Sequence, residues 1–432
     1  MTPGARLAAA IEIFGTLEAA RRPVADVLKD WGRSNRFAGS GDRSAIGSLV
    51  YDALRRRASA AWLMGEETPR AILLGMLKLG RGLDAEAIAQ LCDGTRHTPV
   101  PLGAAERERL EHGSLTDAPA HIAGDYPLWL DAHLEAVFGE ERAAEGAALA
   151  ERAPLDLRVN TLKGTPEDAL AALAHLDATA GDWSPLALRI ELSPDGKAPP
   201  VTAEPAYLKG LVEIQDEGSQ LAAILAAPAR GSQVLDLCAG GGGKTLELAA
   251  LMHNSGQIYA HDDDLRRLAP IHERLQRAGV RNVQVRSPRG KADVLEDLEG
   301  RMDLVLVDAP CTGTGTWRRN PDAKWRIRPG ALAERMREQG AILDNAARFV
   351  KPGGRLAYIT CSLLEEENAA QVRRFLDAEP DFRIVPPAET VLALGEAGLR
   401  LKRAALTLTE GIQLTPRRTG TDGFFVSVMK RG

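Results

Sequence analysis

Val234-Leu235-Asp236-Leu237-Cys238-Ala239-Gly240-Gly241-Gly242-Gly243-Lys244-Thr245 decides the fold. A short apolar strand enters a run of four glycines and leaves as the apolar helical stretch Leu246 to Met252. Glycines there let the backbone approach a ligand closely, and a helix N-terminus aims N–H groups at a carboxylate or phosphate. The Gly-Lys-Thr ending also suits a phosphate loop, but Gly-x-x-x-x-Gly-Lys-Thr needs glycine at 238, where Cys238 stands.

Further along, Met302-Asp303-Leu304-Val305-Leu306-Val307 and Leu356-Ala357-Tyr358-Ile359-Thr360 are short apolar runs, the second preceded by the turn formers Lys351-Pro352-Gly353-Gly354. Such runs predict central parallel strands with helices on both faces. Cys311 follows the first strand in Asp308-Ala309-Pro310-Cys311, and Cys361 follows the second in Thr360-Cys361-Ser362. Ligands of open α/β sheets collect beyond the carboxyl ends of strands, so both thiols belong at a binding crevice. Another strand, Gln257-Ile258-Tyr259-Ala260-His261, ends in Asp262-Asp263-Asp264, about twenty residues beyond the glycine turn, where doubly wound folds hold ribose hydroxyls. Asp262 is assigned to a ribose and Asp264 to the N-cap of the helix that follows.

These segments resemble the RNA cytosine-5 methyltransferases, and the whole chain is similar to the Sun/Fmu (RsmB-type) branch, which carries a NusB-like helical domain in front. The resemblance is also carried by Arg158-Val159-Asn160-Thr161-Leu162-Lys163, Gln215-Asp216-Glu217-Gly218-Ser219-Gln220, Asp308-Ala309-Pro310-Cys311-Thr312-Gly313-Thr314-Gly315-Thr316, Thr360-Cys361-Ser362-Leu363-Leu364 with Glu366-Glu367-Asn368, and Asp422-Gly423-Phe424-Phe425. They run in the family's order from about residue 155 to the C-terminus.

The resemblance implies S-adenosyl-L-methionine as methyl donor, held by Cys238, Ala239, Gly240, Gly241, Gly242, Gly243, Lys244, Asp262 and Asp308. It implies Cys361 as nucleophile and Cys311 in product release, with Asp308 steadying the base's ring nitrogen as charge develops. Carbon 5 of cytosine is a poor nucleophile, so a thiolate first adds to carbon 6 and makes its neighbour enamine-like. The DNA enzymes use the Pro-Cys cysteine alone, so the pair favours RNA. Two departures stand out: Gly241 replaces the usual proline in the turn, and Arg289 stands where the family places an aspartate near the donor's adenine. Either Asp293 substitutes or backbone holds the adenine amino group.

Each thiol has a blander reading as a small buried hydrophobe. That reading is preferred for Cys92 and extends to Cys238; at Cys311 and Cys361, hydroxyl and glycine neighbours suit accessible thiols. Four scattered cysteines without a secretory layout argue against a structural disulfide, and no Cys-x-x-Cys spacing supports zinc.

The expected architecture is multidomain: an all-α NusB-like domain over 1–125, a linker helix (about Leu128 to Leu149) with a small α/β RNA-binding subdomain over 126–205, and a Rossmann-like α/β methyltransferase domain over 206–432. His97 to Gly103 and Gly113 to Tyr126 read as loops, and Ala198-Pro199-Pro200 as the end of regular structure. Helical spacing appears in Leu7 to Phe14 and in Asp42 to Arg57, whose terminal Arg55-Arg56-Arg57 either touches RNA or merely complements the helix dipole.

A net charge of −5 is unlike a generic nucleic-acid coat, so RNA contacts must be local. The best patch is Trp317 to Arg328, with Arg318, Arg319, Lys324 and Arg326 for phosphates and the indoles of Trp317 and Trp325 for stacking; its rival is a loop with packing tryptophans. Arg158 is assigned to RNA through the resemblance. No apolar stretch spans a bilayer and the first residues lack a signal-peptide layout, so a cytoplasmic monomer without metal or membrane partner is expected. The NusB-like front end resembles that of enzymes acting on small-subunit ribosomal RNA, and this resemblance makes that RNA the expected substrate. Transfer RNA, a protein or small-molecule methyl acceptor, and a non-catalytic RNA-binding assembly factor remain as alternatives.

Overall fold

The computed structural model describes residues 1–20, 22–193, 196–290 and 292–432. It divides into two compact units: Met1–Arg152 with Trp317–Arg328, and Ala153–Thr316 with Pro329–Gly432.

The first unit is helical. Pro3–Ala20, Ser40–Arg55, Arg57–Met64 and Pro69–Arg81 are its main elements, and Leu7, Phe14, Ile46, Val50, Ile72, Leu74 and Ile88 fill its core. Cys92 is buried there as a small apolar group. The unit runs past the expected boundary at 125 to Arg152. The single helix expected over Leu128 to Leu149 is two, Asp131–Phe138 and Arg142–Ala150, separated where Gly139 takes φ +54°.

The larger correction concerns Trp317 to Arg328. This segment, expected to be an RNA-reading loop beside the catalytic strand, is built into the helical unit through the helix Pro321–Arg326. Trp317 and Lys324 are each 1% exposed and Arg318 is also buried. The Trp325 indole N–H donates to Leu54 O at 2.6 Å, and Lys324 Nζ donates to Arg55 O at 3.2 Å. These carbonyls end the helix Ser40–Arg55 and have no intrahelical donor, so two side chains of the returning segment satisfy them. Arg55 in turn donates to Arg318 O at 2.6 Å. Arg326 remains exposed, paired with Asp322 at 3.1 Å, and Arg319 is half-buried.

Burial pushes the Lys324 amine down to about 7, although Asp125 partly opposes the shift. Between that value and the ordinary lysine value the unfolded chain holds a proton the folded one lacks, so raising the pH favours folding. Unfolding of the protein and of Lys324→Met, followed in urea from pH 7 to pH 10, is expected to show the wild type gaining stability relative to the variant throughout that window.

The second unit holds two sheets. In the smaller, β1 (Leu155–Val159), β2 (Thr179–Ala180), β3 (Ala187–Ile190) and β4 (Val212–Ile214) are antiparallel in the order β2-β3-β1-β4. Its last strand lies past residue 205, because the chain resumes regular structure after the prolines with the helix Pro205–Leu208. The larger sheet contains β5 (Gln233–Asp236), β6 (Gln257–Ala260), β7 (Val283–Val285), β8 (Met302–Asp308), β9 (Val350–Thr360), β10 (Phe382–Ile384), β11 (Leu406–Thr407), β12 (Ile412–Leu414) and β13 (Phe424–Arg431). Their order is β11-β12-β13-β9-β8-β5-β6-β7, with β10 paired to β13. Strands β5 to β9 are parallel and β13 is antiparallel to β9. The expected turn Lys351 to Gly354 lies inside β9, accommodated by a register shift opposite Met302 and Leu304 and by φ +74° at Gly353. No helix among the described residues is long and apolar enough to cross a membrane.

Arg158 on β1 is 2% exposed. Its guanidinium donates to Gly243 O at 2.8 Å, to Gln215, and meets Glu247 at 3.3 Å. This corrects its assignment to RNA: it is an internal tie from the small sheet to the helix Gly243–Leu251. Burial raises the Glu247 carboxyl to about 7 despite that arginine. Removing one partner of a buried pair strands the other, at about 3–5 kcal/mol. Arg158→Ala is therefore expected to lower unfolding stability by roughly that amount in urea titrations at pH 8.

Candidate active site

The chain leaves β5 for β6 and β7 on one side, then returns to β8 and β9 on the other. The crevice at this reversal is where an α/β sheet binds ligands. A cavity of about 830 Å³ lies there, bordered by Leu237 and Cys238 after β5, His261 and Asp262 after β6, Asp308 to Cys311 after β8, and Cys361 after β9.

Asp262 is 3% exposed. Its Oδ2 accepts the Gly240 N–H and its Oδ1 the Asp264 N–H, each at 2.9 Å. The same carboxylate thus borders the cavity and holds the glycine turn in shape. Gly240 and Gly242 take φ +50° and +82°, and a Cβ on Gly242 would lie 2.6 Å from Ile271. Asp264 caps the short helix Leu265–Leu268 through the Arg266 N–H at 2.8 Å. Of the turn residues assigned to the donor, Cys238 borders the cavity, whereas the carbonyls of Gly241 and Gly243 are taken by Arg274 and Arg158. Burial pushes the Cys238 thiol well up, reinforced by Asp236 and Asp308.

Lys244 is 7% exposed, and its Nζ lies 2.7 Å from Asp308 Oδ2 and 5.1 Å from the centre of the Phe424 ring. Burial opposes its charge, but Asp308 more than offsets this and its pKa is raised. The lysine is spent on the carboxylate at the end of β8, an arrangement unlike a phosphate loop.

The two thiols meet. Cys311 Sγ and Cys361 Sγ are 3.3 Å apart. Hydrogen bonding to Cys361, with burial, pushes the Cys311 thiol well above its usual range. Beneath them is a buried polar network that sequence reasoning used only as a family marker. Glu367 accepts from the Thr312 N–H at 2.8 Å, from the Thr312 and Ser362 hydroxyls, and from Gln339 Nε2 at 3.0 Å. Asn368 Nδ2 donates to Ser362 O at 2.9 Å, and Gly315 N–H to Cys361 O at 2.9 Å.

Sequence reasoning also missed the helix Pro329–Ala347, which presents Glu338, Ala341, Ile342 and Asn345 to the cavity. Their spacing places them on one helical face, a signal that was present in the sequence. By contrast, Arg289 is exposed, and Asp293 is engaged by the Leu295 N–H at 3.0 Å and by Arg348 at 3.1 Å. Neither borders the cavity. Among the described residues no cluster of histidine, cysteine and acidic side chains could hold a metal.

A carboxylate at the end of β6, a cavity at the sheet's reversal point and a glycine turn opening a helix define a nucleotide-type methyl-donor site, and its residues fit S-adenosylmethionine. Bound there, this cofactor supplies an electrophilic methyl group. The fold and site are those of an S-adenosylmethionine-dependent methyltransferase. More narrowly, residues 223–430 match the family described as 16S rRNA methyltransferase RsmB/F, and residues 126–195 match its RsmF/B-like, ferredoxin-like domain.

Ribosomal RNA small subunit methyltransferase B of Sodalis glossinidius is 35% identical over 337 residues, spanning 77% of this chain and 69% of that protein. A probable ribosomal RNA small subunit methyltransferase B of Synechocystis is 32% identical over 308 residues, spanning 71% and 67%. A methyltransferase homolog protein from Pyrococcus horikoshii is similar in structure, with TM-score 0.58, 27% identity and coverage of 72% of this chain and 98% of that one. The chain belongs to the RsmB/F methyltransferase family.

Asp262→Ala removes charge-assisted hydrogen bonds of about 1.5–3 kcal/mol each. S-adenosylmethionine binding measured by calorimetry is expected to weaken about ten- to a hundred-fold. Unchanged affinity in a folded variant would leave Asp262 only its backbone bonds.

Proposed function

We propose that this chain methylates carbon 5 of a cytosine in small-subunit ribosomal RNA, with Cys361 as nucleophile and Cys311 in product release. The observation that carries it is the 3.3 Å approach of two thiols at one cavity, with the Lys244–Asp308 pair beside them. A methyltransferase for proteins or small molecules has no use for two such thiols, and a scaffold that had lost catalysis would not need a buried network holding both. The relatives' names supply the ribosomal RNA.

The Cys361 sulfur attacks carbon 6 and turns carbon 5 into a nucleophile. Once carbon 5 is methylated its proton passes to water, the electrons of that C–H bond re-form the double bond and the thiolate departs; Cys311, in contact with that sulfur, assists this last stage. Asp308, held in place by Lys244 at 2.7 Å, accepts a hydrogen bond from the ring nitrogen, which takes up a proton as the thiolate adds. The target base must leave its stack for the thiolate to reach the ring face. The helical unit fits a NusB-like RNA-binding role, with Arg319 and Arg326 the remaining phosphate candidates in the returning segment. The reaction is assigned to the cytoplasm, with the protein acting as a monomer.

The cysteines are separable by what each variant accumulates. Cys361→Ala is expected to lose methyl transfer and to form no covalent RNA species. Cys311→Ala should methylate and then stall as a protein–RNA adduct, retarded on a denaturing gel until nuclease is added. The opposite pattern would reverse the roles. Bisulfite sequencing of RNA from a deletion strain should show the lost 5-methylcytosine in small-subunit ribosomal RNA; loss only from transfer RNA would refute the substrate.

A further inference from the structure

We propose that Glu367 is a positioning residue, a buried clamp that holds the Cys311 loop and the Cys361 loop at sulfur-contact distance; this rests on the two-cysteine reading above. Glu367 is fully buried, and its carboxylate is met by donors from three elements. The loop after β8 gives the Thr312 N–H and hydroxyl, the loop after β9 gives the Ser362 hydroxyl, and the helix Pro329–Ala347 gives the Gln339 amide. Gln339 Nε2 also donates to Pro310 O at 2.9 Å, directly before Cys311.

Thr312 and Ser362 are each the residue immediately after a cysteine, so one carboxylate grips both thiol-bearing turns at the same step. A second layer immobilises the clamp itself: the Tyr358 hydroxyl donates to Glu367 O at 2.6 Å, and Asn368 is locked by Thr360 and by Gln413 at 2.8 Å. Burying a carboxylate is costly unless its oxygens are fully hydrogen-bonded, and these are, which makes the arrangement stiff as well as specific. Glu367 is absent from the cavity wall. It therefore acts on the reaction only through where it puts the sulfurs, and misplacing reacting groups by about 1 Å costs on the order of a hundred-fold in rate.

The test uses the full-length protein and phenylarsine oxide, a trivalent arsenical that bridges two neighbouring thiols. Two As–S bonds form, and the arsenical oxygen leaves as water with the two thiol protons. The wild type should bind one equivalent tightly, and Cys311→Ala should not, which fixes the site without reference to RNA.

Glu367→Ala is expected to weaken arsenical binding at least about ten-fold and to lower kcat about a hundred-fold, with KM for RNA and donor little changed. Glu367→Gln keeps an acceptor oxygen, and the two hydroxyls can reverse their bonds to its amide, so it should restore most of both. Thr312→Val removes one arm of the clamp and should show a smaller loss of the same kind, which keeps the idea testable should Glu367→Ala fail to fold. Native arsenical binding or full kcat in folded Glu367→Ala would overturn the proposal. So would a Glu367→Gln variant as inactive as Glu367→Ala, since that would make charge the operative property. Should methylation occur at another atom, the arsenical results would still stand or fall on their own.

Discussion

The parallel pairing of β8 with β9 is the constraint on which the site depends. Val307 lies opposite Tyr358 and Asp308 opposite Ile359, so the two strands end level. Neighbouring strands are about 4.8 Å apart. Cys311 follows three residues past Asp308 and Cys361 two past Ile359, so two loops of similar reach start side by side and deliver their sulfurs to one point. A shift of one residue in either strand would also turn its side chains to the opposite face. Leu306, Val307, Ala357 and Tyr358, all buried, make such a slip expensive.

Around this pair the fold uses buried and half-buried charges to join distant segments. Asp216 accepts the Asp422 N–H with both carboxylate oxygens at 3.1 Å, fixing the turn before β13. The next residue, Gly423, approaches Gly315 so closely that a Cβ on either would lie 2.7 Å or less from the other's backbone. Phe424 then lies against Lys244, which reaches Asp308. Four segments far apart in sequence, 215–220, 244, 308–316 and 422–425, thus form one connected structure. Each buried ion in it is paired or hydrogen-bonded, the condition under which such groups are tolerated.

What was legible in the sequence follows from how local the physics is. The strand, glycine turn and helix around residue 240 are specified by neighbours in the chain, as are the cysteines' positions after apolar runs. The Asp264 cap and the burial of Cys92 are equally short-range. Arg158 was not legible: an arginine in a strand gives no sign that Glu247, 89 residues later, will receive it in the interior. Nothing in the sequence around Glu367 signals its role, because that depends on three elements converging on one carboxylate.

The segment Trp317 to Arg328 shows why composition alone misleads. Indoles and lysines suit splayed bases and phosphates, but they suit a helix C-terminus equally well: an indole N–H and a lysine amine, charged or neutral, donate to carbonyls, and the rings cover apolar surface. What decides between these uses is whether such carbonyls lie within reach. Here Leu54 and Arg55 end their helix with carbonyls unsatisfied from within, and the opposed Arg57 guanidinium stacks 5.3 Å from the Trp325 ring centre. The acceptors are some 270 residues from their donors, too distant for any motif to register. The charges of this segment are therefore largely spent inside the helical unit, which accords with a chain of net charge −5 that must meet RNA through few, local contacts.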